Sequence, residues 1–179
     1  MILRKRVIIG FCALLTISTA SIVGFIMNNT RPHRALDSFA RMVESGNLDD
    51  VRLRIYFIEP GAIILPPLSL DELIAFPSSG FTIESNRLAE HMDLLRHINS
   101  ELLVSSNDSH SMDTRIHLIF ETTEGSRLFD VTMWARPYRR MLVNGHLFEE
   151  IQIFYDILMR FLPEHESNLL RRFIEDGGL

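Results

Sequence analysis

The sequence predicts an α+β fold: one domain with a mainly antiparallel sheet packed against two or three helices, preceded by an N-terminal transmembrane helix. Three observations carry this expectation. Residues 7–27 hold no charged side chain, several later segments alternate apolar and polar residues, and turn signals join those segments. Alternating strands linked by tight turns pair antiparallel, and helices with one apolar stripe close over the resulting face.

Arg4, Lys5 and Arg6 precede the uncharged run. As a helix its 21 residues rise roughly 31 Å, matching a hydrocarbon core about 30 Å thick. The expected partner of residues 7–27 is therefore the lipid bilayer. Ser18-Thr19-Ala20 also fits a small-x-small cleavage site, so the alternative is secretion after cleavage near Ala20. Ile22 to Met27 prolong the apolar run beyond what a signal peptide needs, and this favours an uncleaved anchor over residues 1–28. Basic residues stay on the cytoplasmic side, so Arg4, Lys5 and Arg6 place the N-terminus inside and the domain outside the cytosol. Arg31 and Arg34 pull the other way. Cys12, the only cysteine, lies within the run, which excludes an intramolecular disulfide and a cysteine-based zinc site. Phe11 before it is too bulky for a lipoprotein cleavage site.

Pro32 suits the first position of a helix, and Leu36, Phe39, Ala40 and Val43 recur at helical spacing until Gly46. This predicts an amphipathic helix near the membrane within residues 29–46, packed onto its own domain. The globular α+β domain is expected over residues 47–163. Val51, Leu53, Ile55 and Phe57 alternate with Arg52, Arg54 and Tyr56 as a strand. Ser69 and Glu72 form an S-x-x-E capping box opening a short helix to Phe76. A short strand over residues 81–85 follows. Leu88, Met92, Leu95, Ile98 and Leu102 predict one long helix over residues 87–104. Segments 115–121 and 127–135 read as a hairpin, with Ile116, Leu118, Phe120, Phe129, Val131 and Met133 inward. Segments 141–143 and 146–148 flank Asn144-Gly145, a strong two-residue hairpin signal. A helix over residues 149–162 follows, with Glu149-Glu150 at its start. Residues 164–179 read as a polar tail with a helical turn or two near 169–174.

Charge narrows the function classes. Residues 1–27 hold three of the 18 basic residues and none of the 23 acids, so the remainder sets 15 cations against 23 anions and carries −8. Such a domain does not suit nucleic acid, which needs clustered cations to neutralise phosphates. No cofactor or catalytic motif is present: there is no G-x-S-x-G, P-loop or dinucleotide glycine pattern. His91 and His97 on the long helix are six residues apart and diverge on a helical wheel, so with Glu90 and Asp93 they read as a solvated face. His110, Asp113 and His117 have metal-ligating side chains, but nothing local makes them converge, and His117 falls on the outward side of its strand.

The most suggestive surface is apolar where polar residues are expected. Ile119, Leu128 and Trp134 fall on the outward face of the sheet, and Trp134 leads into Arg136, Tyr138, Arg139 and Arg140. Trp, Tyr and Arg are enriched at binding hot spots, and these seven residues form the candidate partner-binding site. The expectation is a membrane-anchored, extracytoplasmic, non-enzymatic module that binds a protein or envelope component. Two other readings remain open: an exported inhibitor or immunity protein, and a metal-dependent enzyme using His110, Asp113 and His117.

Overall fold

A computed structural model describes residues 31–59, 67–76, 80–106, 113–134 and 140–175. The alternation of residues 51–57 becomes β1 (Val51–Phe57), with the apolar set buried and Arg52, Arg54 and Tyr56 half-exposed. The remaining strands are β2 (Gly80–Ile83), β3 (Thr114–Thr122), β4 (Arg127–Trp134), β5 (Arg140–Val143) and β6 (His146–Glu149). They form one antiparallel sheet in the order β2-β1-β3-β4-β5-β6. The expected α+β class with an antiparallel sheet is what the chain adopts.

Local chemistry explains the joins. Asn144 and Gly145 both take positive φ, 49° and 75°, as a two-residue hairpin between twisted strands requires. Asn144 also accepts a 2.8 Å hydrogen bond from the Asp130 backbone N–H, tying the β5–β6 turn to β4. The β3–β4 pairing contains two irregularities. Arg115 is the extra residue between the Thr114–Trp134 and Ile116–Met133 pairs, and Leu128 the extra one between the Phe120–Phe129 and Glu121–Arg127 pairs. Bulges of this kind re-aim the side chain of the extra residue.

The inner face of the sheet carries the core. Phe120 and Phe129, directly paired across β3 and β4, stack at 4.6 Å. Helix α1 (Pro32–Glu44) drops Phe39 edge-on against both rings, at 4.9 and 5.2 Å. Leu36 and Val43 bury beside it. The short α3 (Ser85–Ala89) and α4 (Met92–Leu95), then α5 (Gln152–Phe161) and α6 (Glu164–Phe173), complete the layer, contributing Leu88, Leu95, Phe154 and Leu170.

Four expectations are corrected. The long helix over 87–104 is broken: His91 leaves helical geometry at φ −125°, ψ 34°, which sets its ring edge-on to Phe161 at 5.3 Å. Packing against α5 outweighs helix continuity, and Leu88, Leu95 and Ile98 still reach the core. The helix expected from Glu149 starts at Gln152 instead, because Glu149 pairs with Arg140 as the last residue of β6. The expected polar tail is a ten-residue helix as far as Phe173, anchored by the fully buried Leu170. Finally, helices do not all lie on one face. Helix α2 (Leu70–Ala75), with its Ser69–Glu72 capping box as expected, rests on β1 and β3. Its Leu73 packs with Ile58, Leu68 and Tyr56 in a cluster separate from the main core. Among the described residues no helix is long and apolar enough to cross a membrane, and residues 7–27 lie outside them.

Candidate functional site

The outward positions of β1, β3 and β4 are mainly polar, and strand register brings them together. Arg52 faces Glu121, Arg54 faces Ile119 and Tyr56 faces His117 across β1 and β3. His117 faces Thr132, and Ile119 faces Asp130, across β3 and β4. Ile119 apart, these are charged or hydrogen-bonding residues on the central strands, and most are buried.

Glu121 is the hub of one end. Only 2% of its side chain is exposed, and its two oxygens accept from Arg52 Nε at 2.6 Å and Arg54 Nη2 at 2.7 Å. Arg54 also donates to the Tyr56 hydroxyl at 3.2 Å. Each oxygen of the carboxylate is thus held by a guanidinium through a charge-assisted hydrogen bond, among the stronger pairings open to it.

His117 occupies the centre. Its ring is fully buried and stacks on Tyr56 at 6.3 Å. Nδ1 lies 2.9 Å from Thr132 Oγ1, while Nε2 has no hydrogen-bond partner and sits 3.9 Å from Asp130 Oδ2. Burial strips water from the imidazolium and the Arg127 charge repels it, lowering the His117 pKa to about 4. Asp130 is shifted the opposite way by its own burial, with Arg127 partly offsetting the rise. At neutral pH the pair is a neutral imidazole beside a half-desolvated carboxyl. An imidazole with one nitrogen held and the other open is the usual arrangement of a general base, but this ring has no exposed surface through which to meet a substrate.

At the far end Arg115, the bulged residue, turns two donors onto Asp113 Oδ2, from Nε at 2.9 Å and Nη2 at 2.5 Å. Asp113 Oδ1 accepts from the Leu68 backbone N–H at 3.0 Å, joining the segment before α2 to β3. Arg54 Nε, Arg115 Nη1 and His117 Nε2 are buried nitrogens without a hydrogen-bond partner.

The residues singled out from the sequence are placed as follows. Ile119 is 2% exposed and offers a partner no surface, which corrects the expectation of an open apolar face. The outward side of β3 is covered, not solvated. Leu128 is half-buried against the edge of the core, as its bulge position dictates. Trp134 ends β4 opposite Thr114, and Arg140 opens β5 half-buried opposite Glu149. Arg136, Tyr138 and Arg139 lie outside the described residues, as does His110. Asp113 and His117 are not brought together: the first is engaged by Arg115, the second by Thr132. Among the described residues no group of three or more His, Cys, Asp or Glu is placed to hold a metal ion.

Two surface depressions were not foreseen. The break at His91 invalidates the helical-wheel argument that separated it from His97, and both line a cavity of about 260 Å³ with Asp93, Asp156 and Arg160. A larger one, about 550 Å³, lies at the start of α1 between Arg31, His33 and Arg34 on one side and Ser105, Ser106 and His146 on the other. Its chain-distant halves share no local sequence signal. The edge contact of His33 with Phe148, at 5.9 Å, is what joins them. No protein-family profile, curated protein or solved structure matches the chain.

Proposed function

We propose that this chain is a single-pass, membrane-anchored protein whose α+β domain, held outside the cytosol, binds a protein or envelope component rather than catalysing a reaction. The tether is residues 7–27, with Arg4, Lys5 and Arg6 retained on the cytoplasmic side. The observation that carries the binding reading is the state of two carboxylates, one at each end of the outward side of β3. Glu121 is taken up by Arg52 and Arg54, and Asp113 by Arg115 and the Leu68 N–H, so neither is presented to a substrate. Groups bonded to each other in this way stiffen a scaffold. The sequence joining β4 to β5, with Trp134, Arg136, Tyr138, Arg139 and then Arg140, supplies the hot-spot residue types on that scaffold.

Two measurements on the full chain test this. After alkaline carbonate extraction the protein is expected to stay with the membrane, and protease added outside the cell membrane is expected to degrade the domain. A cytosolic, soluble product with its first residues intact would overturn the reading. Substituting Trp134, Arg139 and Arg140 together is expected to abolish partner capture while leaving the unfolding midpoint nearly unchanged. Unchanged capture would remove the β4–β5 connection from the site.

A further inference from the structure

We propose that the cavity at the start of α1 holds the phosphate of an anionic phospholipid headgroup; the inference rests on residues 7–27 being the membrane anchor. The cavity is an electrostatic exception. The chain after residue 27 carries −8, yet among the described residues the roughly 550 Å³ depression is lined by two arginines, Arg31 and Arg34, with His33 and His146 and no carboxylate. Ser105 and Ser106 add hydroxyl groups, which hydrogen-bond phosphate oxygens. Arginine suits a phosphate through its planar fork of donors. The positive end of α1 is directed at the same place. Pro32 stands in its first turn, no side chain caps it, and no acid occupies that turn.

Chain length identifies the source of the phosphate. Three residues, Asn28 to Thr30, separate the end of the uncharged stretch from Arg31. Fully extended, the four steps from Met27 to Arg31 reach only about 14 Å. With the anchor in the bilayer, Arg31 is therefore held within about 14 Å of the hydrocarbon boundary, in or just beyond a headgroup layer about 5–8 Å deep. Helix α1 is fixed to the core by Leu36, Phe39 and Val43, so the cavity cannot be carried away from the surface by bending at that helix. The proposal also gives Arg31 and Arg34 a role outside the cytosol, where the bias of basic residues would otherwise disfavour them.

The test uses the full chain in detergent with equal amounts of phosphatidylglycerol and phosphatidylcholine, retained lipid being counted by native mass spectrometry. Wild type is expected to retain phosphatidylglycerol in preference. One cation near an anionic surface changes partition about fivefold, so Arg31→Gln should lower the preference by about that factor, and adding His146→Gln should lower it further. Arg172→Gln, exposed on α6 and away from the cavity, should leave it unchanged. Equal retention of the two lipids by wild type, or a preference that survives Arg31→Gln/His146→Gln, overturns the proposal. Binding of inorganic phosphate without a lipid preference overturns the lipid assignment in favour of a free phosphate. Sedimentation with phosphatidylcholine vesicles separates the two readings: a chain that sediments without preferring the anionic lipid sinks this inference alone. A chain that does not sediment sinks the anchor as well.

Discussion

The clamp on Glu121 makes a prediction that simple contact counting would miss. Glu121→Ala removes two charge-assisted hydrogen bonds, each worth about 1.5–3 kcal/mol net. Arg52 and Arg54 are 29% and 37% exposed, so water recovers part of what they lose. The expected cost is therefore about 2–3 kcal/mol, below the sum of the two bonds. In a domain of this size that lowers the thermal midpoint by about 5–10 °C. The sharper test is a cycle on the arginines. Arg52→Ala and Arg54→Ala each leave Glu121 one guanidinium and should cost about 1 kcal/mol singly. Together they leave a carboxylate that is 2% exposed with neither partner. The double variant should then exceed the sum of the singles by about 1–2 kcal/mol. Urea unfolding of the detergent-solubilised full chain measures all four proteins. Additivity within about 0.5 kcal/mol would show that Glu121 reaches water without its arginines, and the clamp would lose its meaning.

Other perturbations follow from the same geometry. His117 titrates near 4 in the folded chain against an ordinary 6.5, so the unfolded chain takes up its proton first as pH falls. Its contribution is complete above pH 6.5 and is lost between 6.5 and 4, up to about 3 kcal/mol. Asp130, raised by burial, has the opposite sign and regains stability as it protonates. His117→Gln should reduce the loss between pH 7 and pH 5 by about 2 kcal/mol, and an unchanged pH slope would refute the assignment. Phe129→Ala removes a fully buried ring that stacks on Phe120, and should cost about 3–5 kcal/mol in denaturant unfolding. Asn144→Ala should cost about 1–3 kcal/mol, because the nearly buried Asp130 loses the acceptor of its backbone N–H; a loss under half that would show water replacing the side chain.

Where a signal and its consequence lie within a few residues, the sequence was sufficient. Asn144-Gly145 requires left-handed backbone, Ser69 and Glu72 bond each other, and β1 alternates strictly, so these features are local facts. Period-two reading also assigned Ile119 and His117 correctly to the outward side of β3. It could not tell that this side is covered. Part of that cover is α2, which lies over β1 and β3, with Leu73 meeting Ile58, Leu68 and Tyr56 from other parts of the chain. The outward placement of His117 says nothing of what covers it. Its partners Thr132 and Tyr56 come from neighbouring strands, and only the register of all three strands reveals them. The broken helix has the same origin: the apolar spacing from Leu88 to Ile98 suits a continuous helix, and the cause of the break is a ring on α5. The Glu121 clamp was half visible, since Arg52 and Arg54 alternate on one face, but the acid they share lies on β3.

The construction of α1 links the fold to the proposed topology. Most tethered domains hang from flexible linkers, which let a charged domain choose its distance from the membrane. Here the uncharged stretch runs within four residues into Pro32, which is buried, and α1 then commits Leu36, Phe39 and Val43 to the core. Pulling α1 away would expose Phe39 together with the faces of Phe120 and Phe129 that it covers, so detachment is opposed by the core itself. In the proposed topology a domain carrying −8 is therefore kept against a surface that repels it if the lipids are anionic. A local excess of cations at the point of attachment answers that repulsion where it is greatest. Arg31 is in that position, and His146 joins it in the cavity because β6 lies beside the start of α1. Short linker, docked helix and cationic cavity are then parts of one physical requirement, that an acidic domain sit close to a bilayer without being driven off it.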